Sequence, residues 1–147
     1  MNNTNDAEYK SAGLFCRLKN ATVENLVIDS SCSFNGSSVG ALSVLVSGQF
    51  NAANITNYAT VNGAEIVGGF IGEVSTSGQT SFVSVRECVN KGNVDGSGSY
   101  VGGFVGVISD GTYTTFSKCV NNGTVTGGIY YAGGFIGFFW SWNHFND

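Results

Sequence analysis

Val67-Gly68-Gly69-Phe70-Ile71-Gly72 returns as Val101-Gly102-Gly103-Phe104-Val105-Gly106, and again as Ala132-Gly133-Gly134-Phe135-Ile136-Gly137. A second phrase precedes the last two copies: Cys88-Val89-Asn90-Lys91-Gly92-Asn93-Val94-Asp95-Gly96 and Cys119-Val120-Asn121-Asn122-Gly123-Thr124-Val125-Thr126-Gly127. Phe70, Phe104 and Phe135 are separated by steps of 34 and 31 residues. Self-similarity at such a period marks a repeat architecture, in which each unit buries its apolar face only against its neighbours.

Two weaker copies lie upstream. A step of 28 residues back from Phe70 reaches Leu42 in Gly40-Ala41-Leu42-Ser43, and another 28 reaches Leu14 in Ala12-Gly13-Leu14-Phe15. The second phrase recurs as Thr60-Val61-Asn62-Gly63 and Ser33-Phe34-Asn35-Gly36. The chain thus reads as five rungs, two of them degraded, with length varying in the Ser-, Thr- and Gly-rich stretches 76–80 and 96–99. Insertions in a solenoid fall in its loops.

The repeated segments are rich in Val, Ile, Phe and Thr, are cut by Gly and Asn, and keep no 3.6-residue apolar period, which points to short strands joined by turns. Strands are expected through 69–75 and 81–89 and at their equivalents. A coil of this length with a few strands closes one turn of a parallel β-solenoid with rungs about 4.8 Å apart. The expected fold is all-β, one domain without significant helix. Residues 1–10 form a leading tail, 11–139 the solenoid and 140–147 an aromatic, unpatterned tail.

Stacking then defines ladders. Leu14, Leu42, Phe70, Phe104 and Phe135 align; so do Leu18, Val46, Val74, Ile108 and Phe139, with Cys16, Val44, Gly72, Gly106 and Gly137 between them. In the second phrase Ile28, Ile55, Cys88 and Cys119 align, as do Phe34, Val61, Val94 and Val125. Asn57, Asn90 and Asn121 meet at a turn, where stacked amides bond from rung to rung. Gly36, Gly63, Gly96 and Gly127 close that turn, read here as positions of positive φ. If Phe70 points inward, the stripe Phe15, Ser43, Ile71, Val105 and Ile136 points outward. That stripe is then either a docking surface or a sign that the face assignment fails there.

Composition narrows the function. The 147 residues carry a net charge of −4 with only six Lys and Arg. These form no stripe, against nucleic-acid binding and polybasic membrane docking. The longest apolar run, 130–142, is broken by Gly133-Gly134, Gly137 and Ser141, against direct membrane insertion. The opening Met1-Asn2-Asn3-Thr4-Asn5-Asp6 lacks the blocks of a signal peptide. Four cysteines form no Cys-x-x-Cys pair and His144 is the sole histidine, so neither a metal site nor a cofactor is expected. Cys88 and Cys119 fill positions taken elsewhere by Ile, and read as small buried hydrophobes. A disulfide between them meets the objection that side chains in register run parallel and do not aim at each other.

Catalytic sets are not found. A Ser-His-Asp arrangement would need His144 in the tail. The Gly-Gly-Phe phrase lies within a strand repeat rather than before a helix, so its glycines serve tight stacking and not phosphate. A calcium ladder would repeat an Asp, but Asp95 aligns with Asn35, Asn62 and Thr126. The acids Asp29, Glu65, Glu73, Glu87 and Asp110 do not recur in register, against a sugar-cleaving enzyme. N-x-Ser/Thr sequons stand at Asn2, Asn20, Asn35, Asn54 and Asn122; the last four are the candidate glycosylation sites.

Gly69-Phe70-Ile71-Gly72, Gly103-Phe104-Val105-Gly106 and Gly134-Phe135-Ile136-Gly137, the last two behind Cys-x-Asn-x-Gly-x-Val-x-Gly, are similar to the GLUG motif. The resemblance covers nearly all of residues 11–139. It implies a β-solenoid in which Gly69, Phe70, Gly72, Cys88, Gly103, Phe104, Gly106, Cys119, Gly134, Phe135 and Gly137 are the structural repeat. It also implies a surface-exposed or secreted protein of bacteria or anaerobic protists with adhesion-like roles, partnered by host or neighbouring surface molecules, protein or glycan. Some immunoglobulin-cleaving proteases carry the motif beside a separate catalytic domain, so a structural spacer in such an enzyme is the alternative. The chain enters the repeat almost at once, and solenoids need polar caps. It is therefore expected to be part of a longer chain whose open ends associate.

Overall fold

The computed structural model describes residues 10–75, 81–109 and 112–140. It is an all-β parallel solenoid of about four turns. Three parallel sheets run along it. The first carries Phe15–Lys19, Ser43–Ser47, Ile71–Val74, Val105–Ile108 and Ile136–Phe139. The second is built on Thr22–Ile28, Gln49–Asn57, Ser81–Arg86 with Val89–Asn90, and Thr112–Ser117 with Val120–Asn121. The third holds Ser11–Ala12, Ser33–Gly40, Thr60–Gly68, Val94–Gly96 with Tyr100–Gly102, and Val125–Gly127 with Tyr131–Gly133. The chain passes first, second, third and then steps up to the next coil, which leaves every strand paired with its counterpart one turn away.

The expected ladders appear in the register. Leu18, Val46, Val74, Ile108 and Phe139 are successive partners in the first sheet. Phe34, Val61, Val94 and Val125 are partners in the third, with Asn35, Asn62, Asp95 and Thr126 beside them. Phe70 and Phe104 stack with centroids 4.6 Å apart, and Phe104 and Phe135 at 4.7 Å. Those spacings match the distance between hydrogen-bonded strands, so the rings are held face to face by the backbone ladder itself. Phe116 closes the stack edge-on, 5.9 Å from Phe104 and 5.3 Å from Phe135. Edge-on packing sets ring hydrogens against π-faces, a favoured geometry.

Several expectations change. The strand expected over 69–75 is only Ile71–Val74, because Gly69 and Phe70 form the corner between the third and first sheets. A corner resets the alternation of side chains. Phe70 and Ile71 therefore both point into the core, as do Phe104 and Val105, all fully buried. The Phe15, Ser43, Ile71, Val105, Ile136 stripe is thus interior in the central coils, not a docking surface. The strand expected over 81–89 breaks at Glu87, whose φ is 55°. Asn25, Asn54 and Lys118 occupy the equivalent place, at φ of 57°, 53° and 54°. A left-handed residue here bends the second sheet in every coil.

Leu26, not Ile28, is the partner of Ile55; Ile28 pairs with Asn57. Of the glycines Gly36, Gly63, Gly96 and Gly127, which are in register, only Gly127 has a positive φ, 97°. The others are needed for space: a Cβ on Gly63 would run into the Val67 side chain, and one on Gly96 into Val101.

Candidate functional site

The residues singled out as the structural repeat surround a buried amide ladder. Asn57 Nδ2 donates to Asn90 Oδ1 at 2.8 Å, and Asn90 Nδ2 donates to Asn121 Oδ1 at 2.9 Å. Each amide also ties two corners of its own coil together: Asn90 Nδ2 lies 3.0 Å from the Gly92 carbonyl oxygen and 2.8 Å from that of Gly103. This explains the second glycine of the first two Gly-Gly-Phe phrases, Gly69 and Gly103. A Cβ on Gly69 would strike Asn90 Nδ2, and one on Gly103 would strike Asn121 Nδ2. Gly72, Gly106 and Gly137 lie against backbone carbonyls, letting the first sheet approach the end of the third. Ligand-holding loops are not what these glycines make.

A surface cleft with room for a ligand lies elsewhere, along the concave corner where the third sheet meets the first. One wall is the in-register row Ser11, Ser38, Ile66, Tyr100 and Tyr131. The facing wall is Arg17, Leu45, Glu73, Val107 and Phe138. In the first three coils the walls leave a cleft of about 260 Å³, lined by Ser11, Ser38 and Ile66 on one side and Arg17, Leu45 and Glu73 on the other. In the last coils aromatic rings fill it. Tyr100 and Tyr131 stack 5.6 Å apart, and Phe138 packs 5.1 Å from the first and 4.8 Å from the second. Tyr131 and the neighbouring Tyr130 and Trp140 remain exposed.

The electrostatics of the cleft are bipolar. Arg17 and Glu73 belong to the same ladder two rungs apart, hence about 10 Å from each other. Glu73 accepts a hydrogen bond from Ser109 Oγ at 3.1 Å, which fixes its carboxylate. Apolar Leu45 and Ile66 lie between the charges. A cleft with an apolar floor and separated charges can hold an extended polar ligand in one direction. The sequence reading missed this groove. Its signal was the tyrosine two residues before each of the last two Gly-Gly-Phe cores, Tyr100 and Tyr131, together with Phe138. Only the corner geometry brings those positions face to face.

The candidate glycosylation sites Asn20, Asn35, Asn54 and Asn122 are all exposed. Asn54 Nδ2 donates to Asn25 Oδ1 at 2.8 Å, and Asn20 Oδ1 accepts from the Gln49 backbone N–H at 3.0 Å. Asn2 and His144 lie outside the described residues. Among the described residues no group of three or more His, Cys, Asp or Glu is placed to hold a metal ion, and no helix is long and apolar enough to cross a membrane. The fold and groove define a parallel β-solenoid with a lateral cleft. Comparison with protein-family models, curated proteins and solved structures gives no match.

Proposed function

We propose that the chain is a non-enzymatic repeat segment of a cell-surface or secreted adhesin-like protein, a stiff stalk that carries a binding surface. The axial groove is the observation that favours binding over mere spacing: two rows of side chains from different sheets converge there on a bipolar cleft beside exposed aromatic rings. Stiffness rests on the continuous ladders, which tie each coil to the next through backbone bonds, stacked rings and the buried amides. The GLUG-like phrases agree with this setting. The partners are host or neighbouring surface molecules, protein or glycan.

The test is binding of the folded chain to glycan and surface-protein arrays, repeated with Arg17→Glu, Glu73→Lys and Tyr131→Ala. Phe82→Ala, on the outer side of the second sheet, is the control. Groove variants should lose binding about tenfold or more at unchanged melting temperature, and the control should not. A folded chain that binds nothing overturns the adhesive role and leaves the spacer reading. Binding that ignores the groove variants removes the groove from it.

A further inference from the structure

We propose that Cys88 and Cys119 are a built site for a disulfide that joins the third coil to the fourth. The site stands apart from the groove and from any ligand bound there. Val89 pairs with Val120 and Asn90 with Asn121, so the two cysteines immediately before them face each other on neighbouring strands. Val120 N donates to the Cys88 carbonyl oxygen at 3.0 Å, which holds the two backbones together at this point. Neighbouring parallel strands lie about 4.8 Å apart, inside the usual Cα separation of a disulfide.

The objection from parallel side chains is met by the local bend. Lys118 and Glu87, both left-handed at φ 54° and 55°, precede the two cysteines and take them out of regular strand. Cys119 Sγ turns back onto the coil of Cys88 and lies 3.3 Å from the Val85 carbonyl oxygen. Cys88 Sγ lies 3.2 Å from the next carbonyl oxygen of the same strand, that of Arg86. Cys119 Sγ thus lies between its own coil, 3.5 Å from the Ser117 carbonyl oxygen, and the coil of Cys88. The preceding coils carry Ile55 and Leu26 at this place, so thiols replace hydrocarbon only where two coils can be joined.

Reactivity is divided between the two. Cys88 is buried and Cys119 half-buried, so an oxidant meets Cys119 first. The interaction between the neighbouring thiols holds Cys119 below the ordinary thiol range, and that interaction together with burial pushes the Cys88 thiol up. Of the two, Cys119 is the thiol that ionises more readily and supplies the thiolate, the nucleophilic form. With a low-molecular-weight disulfide as oxidant, Cys119 sulfur attacks one of its sulfurs and expels the other as a thiolate. A mixed disulfide forms. The Cys88 thiol passes its proton to the expelled thiolate or to water, and its sulfur attacks Cys119 sulfur. The second small thiolate leaves. The protein loses two hydrogens and two electrons, and the small disulfide becomes two thiols.

Incubation of the whole chain with oxidised glutathione at pH 7.5, followed by proteolysis and mass spectrometry, tests this. The expected product is a Cys88–Cys119 linked peptide in the monomer, and a melting temperature roughly 10 °C above the reduced chain. Alkylation of Cys119 in the reduced chain should set in at a lower pH than that of Cys88. Cys88→Ser should stop at a glutathione adduct on Cys119; Cys119→Ser should leave Cys88 unmodified. The proposal is overturned if both thiols of the oxidised wild-type chain are still alkylated after denaturation, if the adduct on Cys119 persists unresolved, or if either cysteine pairs instead with Cys16 or Cys32. The wild-type mapping decides even where a variant does not fold.

Discussion

Asn57 and Asn90 are fully buried amide side chains. Burial of an amide is unfavourable unless its donors and acceptors are met inside the protein. Here they are met from three directions at once: the neighbouring rung, the turn two residues on, and the corner glycine across the core. Removing one amide therefore strands several partners. Asn90→Ala leaves the carbonyls of Gly92 and Gly103 without this donor and takes the acceptor from Asn57, and should cost about 3 kcal/mol. Asn121→Ala, at a half-buried rung where water reaches the partners, should cost about 1 kcal/mol. Urea denaturation of the two variants checks the difference; equal costs would mean that the ladder works pair by pair rather than through burial. The sequence showed these asparagines in register, and showed the glycines around them, but not that the glycines are there to make room for the amides.

The first-sheet strands are short, and their contribution comes from what they stack rather than from their length. Phe104 lies between Phe70 and Phe135 and against the edge of Phe116, so one side chain touches three coils. Phe104→Ala should destabilise by about 3–5 kcal/mol. Phe104→Leu should cost about 1.5 kcal/mol or less, since Leu42 fills the same ladder position fully buried in an earlier coil. Thermal unfolding of both variants separates ring-on-ring stacking from simple filling of volume. At this scale the sequence was legible in part. The ladder positions could be counted from the repeat, whereas the strand ends could not. A corner at Gly69-Phe70 and a left-handed residue at Glu87 both interrupt alternation, and alternation was the signal used to place faces. Glu87 and Lys118 are not residue types that announce positive φ, unlike Asn25 and Asn54 in the earlier coils.

Across the whole molecule, protection runs along the solenoid axis. Leu14 is 46% exposed while Leu42, Phe70 and Phe104 are at 0%, although all four occupy one ladder. Their amides are all hydrogen-bonded to the following coil. Coverage by coils on both sides, not hydrogen bonding alone, should therefore set local stability. In native-state hydrogen exchange the Leu14 amide should exchange about a hundredfold faster than that of Phe70; equal rates would mean that the coils open together. The same axial order creates the groove, because every outward row is repeated at the same height on both walls of the corner. The sequence by itself determined the repeat, the parallel stacking and which residues share a ladder, since these follow from periodicity and residue size. Only the tertiary structure decided which neighbouring ladders face inward together, that Tyr100, Tyr131 and Phe138 meet across a corner, and that Cys119 sulfur lies against the Val85 carbonyl of the coil of Cys88. Those relations depend on the angles at which the sheets turn, and the turns are set by corners that interrupt alternation and by left-handed residues whose type changes from coil to coil.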